Sequence, residues 1–302
     1  MVKTKGEKTI MMKKHRSKGD IIADIMIDLV LVIVCLATLY PFWHLFTLSF
    51  TSGDVPLTRM YLIPPKLTME NYLKVLSDSA ILTGFINTII RTVLGTIISV
   101  SCTILTAYPL SKKYLVHRKF FTSFVVLTMF VSGGTIPSYL LVKTLGLMDT
   151  MWALVLPTAI SAYNVIIARN FFMGIPDSLE ESAKVDGAND LIILLKIIIP
   201  VSLPIIATIT LWVAVAHWNA WFDSLIYTRT SAKQVLQVVM RRIILDGTQD
   251  MMNPNAEEEA MHVNTETIKA TTVIVTTVPI LVVYPFIQKY FVKGVMVGSV
   301  KG

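Results

Sequence analysis

The chain has 302 residues, of which 54% are hydrophobic and only 16% charged, with a formal net charge of +7. A soluble globular domain carries about 25% charged residues, so the composition argues against an ordinary soluble enzyme and against a disordered chain. Its two cysteines, Cys35 and Cys102, lie in apolar runs and cannot build a disulfide framework.

Six runs of 18 or more residues lack Asp, Glu, Lys and Arg: 29–53, 92–111, 120–142, 150–168, 197–222 and 270–288. A helix crossing the bilayer core needs about 20 residues. The runs therefore predict an all-α integral membrane protein with six transmembrane helices, and they lack the short alternation of a membrane β-barrel. Residues 1–28 form a basic lead, Lys3 to Lys18, with Asp24 and Asp28 at the interface. The lead and the first run are too long for a cleaved signal peptide, and no small-x-small site follows, so the first helix is expected to be retained. The loop 54–91 holds Pro56, Pro64 and Pro65, then a polar helical stretch at 70–77. Arg91, just before the second run, could line the mouth of a pore, but reads first as a snorkelling interface residue. The loop 143–149 is so short that helices three and four must form a tight antiparallel pair. Asn164 is a lone amide in the fourth run, suited to helix–helix bonding or to a pore contact.

The fifth run ends in His217-Trp218-Asn219-Ala220-Trp221-Phe222-Asp223. On a continuing helix Trp218 and Trp221 share one face, and Asn219 and Asp223 another. These residues, with Asn164, are candidates for a substrate path; an aromatic belt at the membrane surface is the competing reading for the tryptophans. In loop 223–269 the spacing Leu236/Val239/Ile243 predicts a short amphipathic helix, and Glu257–Glu259 forms an acidic run. Neither outside loop is large enough for a second domain, so a single transmembrane domain is expected over 29–302, preceded by the tail and interfacial lead-in of 1–28.

With the N-terminus inside, the inside segments carry 17 Lys/Arg and the outside segments 10. The positive-inside rule then places both termini in the cytoplasm. The basic tail is an orientation signal beside anionic lipid, not a nucleic-acid arm.

The inside loop 169–196 departs from this bias: it carries Asp177, Glu180, Glu181, Asp186 and Asp190 against three Lys/Arg. Asp177 or Ser178 can cap a helix after Pro176, with acids in its first turn where the dipole favours them. Gly187 is a natural stop. Asn189 or Asp190 can cap a second helix that runs on to Pro200. An acidic helix presented to the cytoplasm suits a basic partner, or is simply a solvated face.

The stretch Glu181-Ser182-Ala183-x-x-Asp186-Gly187-Ala188, eight residues, then Ile197-x-Ile199-Pro200 resembles the EAA loop of ABC importer permeases. Ser182 and Ile199 depart mildly from that pattern, which has Ala and Leu there. Asn71-Tyr72, Ala107-Tyr108-Pro109-Leu110-Ser111, Leu145-Gly146-Leu147, Trp218-Asn219 and the ending 284–291, with Gly294, Gly298 and Lys301-Gly302, are similar to the oligosaccharide permeases of the MalG/LplC type. The resemblance covers nearly the whole chain. It implies a bacterial cell-membrane permease subunit, half of a heterodimer with a second permease. Two copies of a cytoplasmic ATPase would power it, and an extracytoplasmic sugar-binding protein would deliver the sugar. It also implies that the helices of 169–196 couple to the ATPase: Glu180 and Glu181 as contacts, Ala183 and Ala188 for close approach, Asp186 and Gly187 at the turn, and Pro200 at the junction with helix five.

The chain lacks a G-x-x-x-x-G-K-[ST] phosphate loop, an H-E-x-x-H pair and a G-x-S-x-G elbow, and its five His are scattered. No catalytic residue, metal or cofactor is expected, and ATP chemistry would belong to a partner. The alternative is a stand-alone secondary transporter of a small polar solute, which would need intramembrane carboxylates that the six runs lack.

Overall fold

The computed structural model describes residues 18–55, 60–250 and 265–299. The basic lead before Lys18, Pro56, Glu257–Glu259, His262 and Lys301-Gly302 lie outside them. Among the described residues the regular secondary structure is all helical, apart from one isolated bridge between Thr51 and Leu67.

Helix α1, Lys18–Ser49, is a 32-residue helix whose apolar side chains stay exposed along most of its length. That is the expected surface of a lipid-facing helix, where no water competes for the backbone. Its end is closed from a distance. Asn71 Nδ2, on α2 (Glu70–Ser77), donates to the carbonyls of Ser49 and Thr51 at 3.2 and 2.9 Å, and Tyr72 shares a bond with Ser49 Oγ at 2.8 Å. The last carbonyls of a helix lack partners within it, and these bonds supply some.

Helix α3, Ser79–Ser111, is the axis of the molecule. It begins at Ser79, well before the predicted start at Thr92, because Asp78 caps it by accepting from the Ala80 and Ile81 amides at 2.7 and 3.4 Å. The charge of Arg91 does not end the span, since it is buried in the bundle. Thr88, Arg91, Gly95, Ser99 and Thr103 recur at helical spacing and are all buried. Small side chains on this stripe let another helix approach closely. A Cβ on Gly95 would sit 2.5 Å from His217 Nε2, so the imidazole occupies the space glycine leaves.

Three predicted spans are broken. The third run divides into α4 (Arg118–Phe130) and α5 (Thr135–Thr144), bent by 112° across 131–134. Gly134 has φ +80°, a conformation that a side chain disfavours. The fourth divides into α6 (Met151–Val155), continued by a 3-10 turn to Thr158, and α7 (Ala162–Met173), bent by 50°. Between α7 and the fifth span lie α8 (Asp177–Val185) and α9 (Asp190–Ile193). A π turn at 194–198 then leads into α10 (Ile199–Val201), followed by an 84° bend at Ser202 and α11 (Leu203–Asn219). Pro200 has no N–H for the preceding turn, which favours irregular backbone here. The chain closes with α12 (Phe222–Tyr227), α13 (Leu236–Asp250) and α14 (Thr265–Ser299). Among the described residues, two helices are long and apolar enough to cross a membrane unbroken, and up to five crossings result if each bent pair is one span.

The amphipathic helix expected around Leu236 is α13: Leu236 and Val239 are buried against Val75 and Ile81. Thr88 Oγ1 accepts from the Leu236 amide at 2.9 Å, tying α13 to α3. The largest core lies at the other end of α3, where Ile104, Tyr108, Phe172, Ile193, Ile198 and Val213 meet. This core anchors the α8–α9 loop to the bundle. The predicted tight turn at 143–149 is also fixed. Asp149 accepts from the Arg229 and Thr230 amides at 3.0 Å each and from Lys233 Nζ at 3.1 Å. The Thr230 amide above all holds its carboxyl well below the usual carboxylate range.

Candidate functional site

Two regions gather chemistry: the α8–α9 loop, and a cavity between α3, α7 and α11.

The loop folds as a helix, a glycine turn and a helix. Gly187 has φ +82°; its amide donates to Lys184 O at 3.0 Å and the Ala188 amide to Ala183 O at 2.9 Å. This pair of bonds is a Schellman turn, which closes the open carbonyls of α8. Asn189 caps α9 by accepting from the Ile192 amide at 2.9 Å. The expected cap at Asp177 or Ser178 does not form: Pro176 holds the cap position with no side-chain bond. Asp177 instead binds Lys113 Nζ at 2.9 Å, and that lysine pulls its carboxyl below the usual range.

The acids of α8 do not all face outward. Glu180 is buried and paired with Lys112, whose ammonium also lies 4.4 Å above the Tyr108 ring. Glu181 and Asp186 are exposed, as is Val185 at 88%. Ala183 and Ala188 pack against the large core, and Pro200 is exposed before the bend. Lys184 lies 3.3 Å from Asp190 and 4.6 Å above the Tyr114 ring; the Asp190 bond pushes its ammonium pKa up. Tyr114 Oη also approaches Asp190, at 3.4 Å. The short segment 112–114 thus grips both α8 and α9 from the end of α3. The family pattern points to the acids of this loop. It carries no sign of Lys112 or Tyr114, which reach the loop only through the fold.

The cavity has a volume of about 490 Å³, and Asn164 and Asp223 line it together with Arg91, Ser161, Tyr163 and Trp212. Arg91 is 1% exposed, not an interface residue. Its Nη1 donates to Asp223 Oδ1 and Ala220 O, both at 3.1 Å, and Nη2 completes a bidentate pair with Asp223. Its Nε is buried without a partner. Burying a charge is costly unless it is paired and bonded, and this arrangement meets that condition through residues far away in sequence.

The other candidates for the path lie elsewhere. α11 ends at Asn219, so the faces expected for a helix continuing to Asp223 do not exist. Trp218 is buried edge-on against Phe85, with ring centroids 5.9 Å apart. Asn219 bonds back to Val215 O at 2.9 Å, and Trp221 lies under the Arg241 guanidinium at 4.1 Å. Tyr163 and Trp212, which the sequence reading passed over, line the cavity in their place. A tryptophan near the middle of an apolar run was their visible signal.

Residues 9–297 match the family described as "Binding-protein-dependent transport system inner membrane component". The chain is 43% identical over 280 residues to the polygalacturonan/rhamnogalacturonan transport system permease protein YtcP of Bacillus subtilis (strain 168), covering 92% of this chain and 98% of that one. It is 39% identical over 289 residues to the protein LplC of the same organism, covering 95% and 98%. A solved structure of a bacterial ABC transporter involved in the import of the acidic polysaccharide alginate has a chain of the same fold. Its TM-score is 0.84 at 36% identity, over 91% of this chain and 99% of that one.

Proposed function

The chain belongs to the binding-protein-dependent transport system inner membrane component family, and on that premise we propose that it is a permease subunit of an ATP-driven importer that carries a sugar, an oligosaccharide, into a bacterial cell. The transport roles named for YtcP and for the alginate importer support the sugar assignment. A second permease chain, two copies of a cytoplasmic ATPase and an extracytoplasmic sugar-binding protein complete the machine. The chain has no phosphate loop of its own, so it acts as a conduit and not as an enzyme. Family membership sets the stand-alone carrier aside.

In this reading residues 1–28 are the cytoplasmic lead-in and 29–302 a single permease domain. The chain crosses the cell membrane six times, along α1, α3, α4–α5, α6–α7, α10–α11 and α14, with both termini in the cytoplasm. The α8–α9 loop faces the ATPase. The observation that carries this assignment is an acidic helix that exposes Glu181 and Val185 and is closed by a left-handed glycine. Glu181 and Val185 make the contact. Glu180 holds α8 to α3, Ala183 and Ala188 seat the loop on the core, and Asp186 with Gly187 fixes the angle to α9. Pro200 marks where loop movement enters α11.

Gly187→Pro cannot adopt a φ of +82°. This variant, and Glu181→Lys separately, are each expected to cut ATP-dependent uptake at least tenfold while the chain still inserts in the membrane. Normal uptake in both would contradict the docking role.

A further inference from the structure

The cavity gathers an aromatic pair, an unbonded amide and an ion pair. Trp212 lies near the middle of the 17-residue α11. At 1.5 Å per residue it is more than ~10 Å from either end, too deep for an interfacial aromatic belt. Its ring meets that of Tyr163 at 6.1 Å and 36°, and both stay partly exposed, at 37% and 54%. Beside them the helix is interrupted between Thr158 and Ala162. Non-helical backbone at membrane depth persists only where it is buried or lines a polar cavity. Asn164 is 7% exposed and lines the cavity, yet its side-chain amide makes no hydrogen bond among the described residues. That amide is open to bond whatever occupies the cavity. The charges of Arg91 and Asp223 neutralise each other.

We propose that this cavity is a sugar-ring subsite of the permease: Trp212 and Tyr163 stack on the apolar face of a pyranose ring, and the Asn164 amide bonds its hydroxyls. The volume of about 490 Å³ falls in the range of roughly 300–1,000 Å³ usual for small-molecule sites. Because the ion pair leaves no surplus positive charge, the subsite reads ring and hydroxyls and not a carboxylate. It therefore treats an acidic sugar and its carboxyl-reduced form alike. This rests on the importer reading and deepens it.

The test uses the complete importer in proteoliposomes with its sugar-binding protein. The probes are a galacturonic acid trisaccharide and its carboxyl-reduced counterpart, and the readout is sugar moved per ATP hydrolysed. Trp212→Ala and Asn164→Ala are expected to lower that ratio at least tenfold for either sugar. Trp212→Phe, which keeps a ring face, returns it to within threefold of the parent. Ratios within twofold of the parent in both alanine variants would overturn the subsite. So would alanine variants that neither hydrolyse ATP nor transport, which would give these residues a scaffold role, or a loss confined to the acidic sugar. A parent complex that moves neither probe would overturn the subsite for sugars of this class, and one that hydrolyses ATP and moves no oligosaccharide at all would overturn the transport reading itself.

Discussion

Arg91 is bonded to an acceptor 132 residues further along the chain. Removing it would leave Asp223 without its cation inside the bundle. Breaking one side of a buried pair typically costs about 3–5 kcal/mol, whereas removing both charges costs far less. Arg91→Met is therefore expected to lower the stability of the detergent-solubilised chain by about 3 kcal/mol, read by denaturant unfolding. Arg91→Met combined with Asp223→Leu should recover most of that loss. If the double variant is no more stable than the single one, the pair is not the reason Arg91 tolerates burial. This partner was invisible in the sequence: hydropathy registers a charge but not the carboxylate that meets it, so Arg91 read as an interfacial residue. Gly187 was legible for the opposite reason, since a left-handed helix stop depends on its immediate neighbours alone.

At the scale of elements, the structure ties the α8–α9 loop to α3 through one short segment. Lys112 ends α3 and pairs with Glu180 of α8, and both side chains are 11% exposed. A pair so shielded from water is screened little, so it holds α8 to the end of α3. Lys112→Glu and Glu180→Lys are each expected to reduce uptake at least fivefold, and the two together to restore it to within twofold. Failure of the swap to rescue would show that the contact is incidental. The α8–glycine–α9 fold was readable because caps and stops are local signals. The span boundaries were less so. Counting charge-free residues merges α4 with α5 although Gly133-Gly134 marks the break, and it hides the turn at Ala220 that separates Trp218 from Trp221. Apolar length reports burial in lipid and is blind to direction.

For the whole molecule, α3 is the member that joins the two regions. At 33 residues it is roughly 50 Å long. Its last residues touch the loop assigned to the ATPase, while Arg91 borders the cavity. In the proposed importer such a helix, gripped at one end and lining a cavity further along, would carry displacement from one to the other. The ATP chemistry of the proposed importer belongs to a partner, since the chain carries no phosphate loop of its own. The most direct measurement is purification of the tagged chain in mild detergent from its native membrane, with identification of every protein retained. The predicted result is that a second permease and an ABC ATPase are recovered with the chain, and that Gly187→Pro combined with Glu181→Lys loses the ATPase alone. A chain that purifies alone and still moves sugar in liposomes holding nothing else would contradict it.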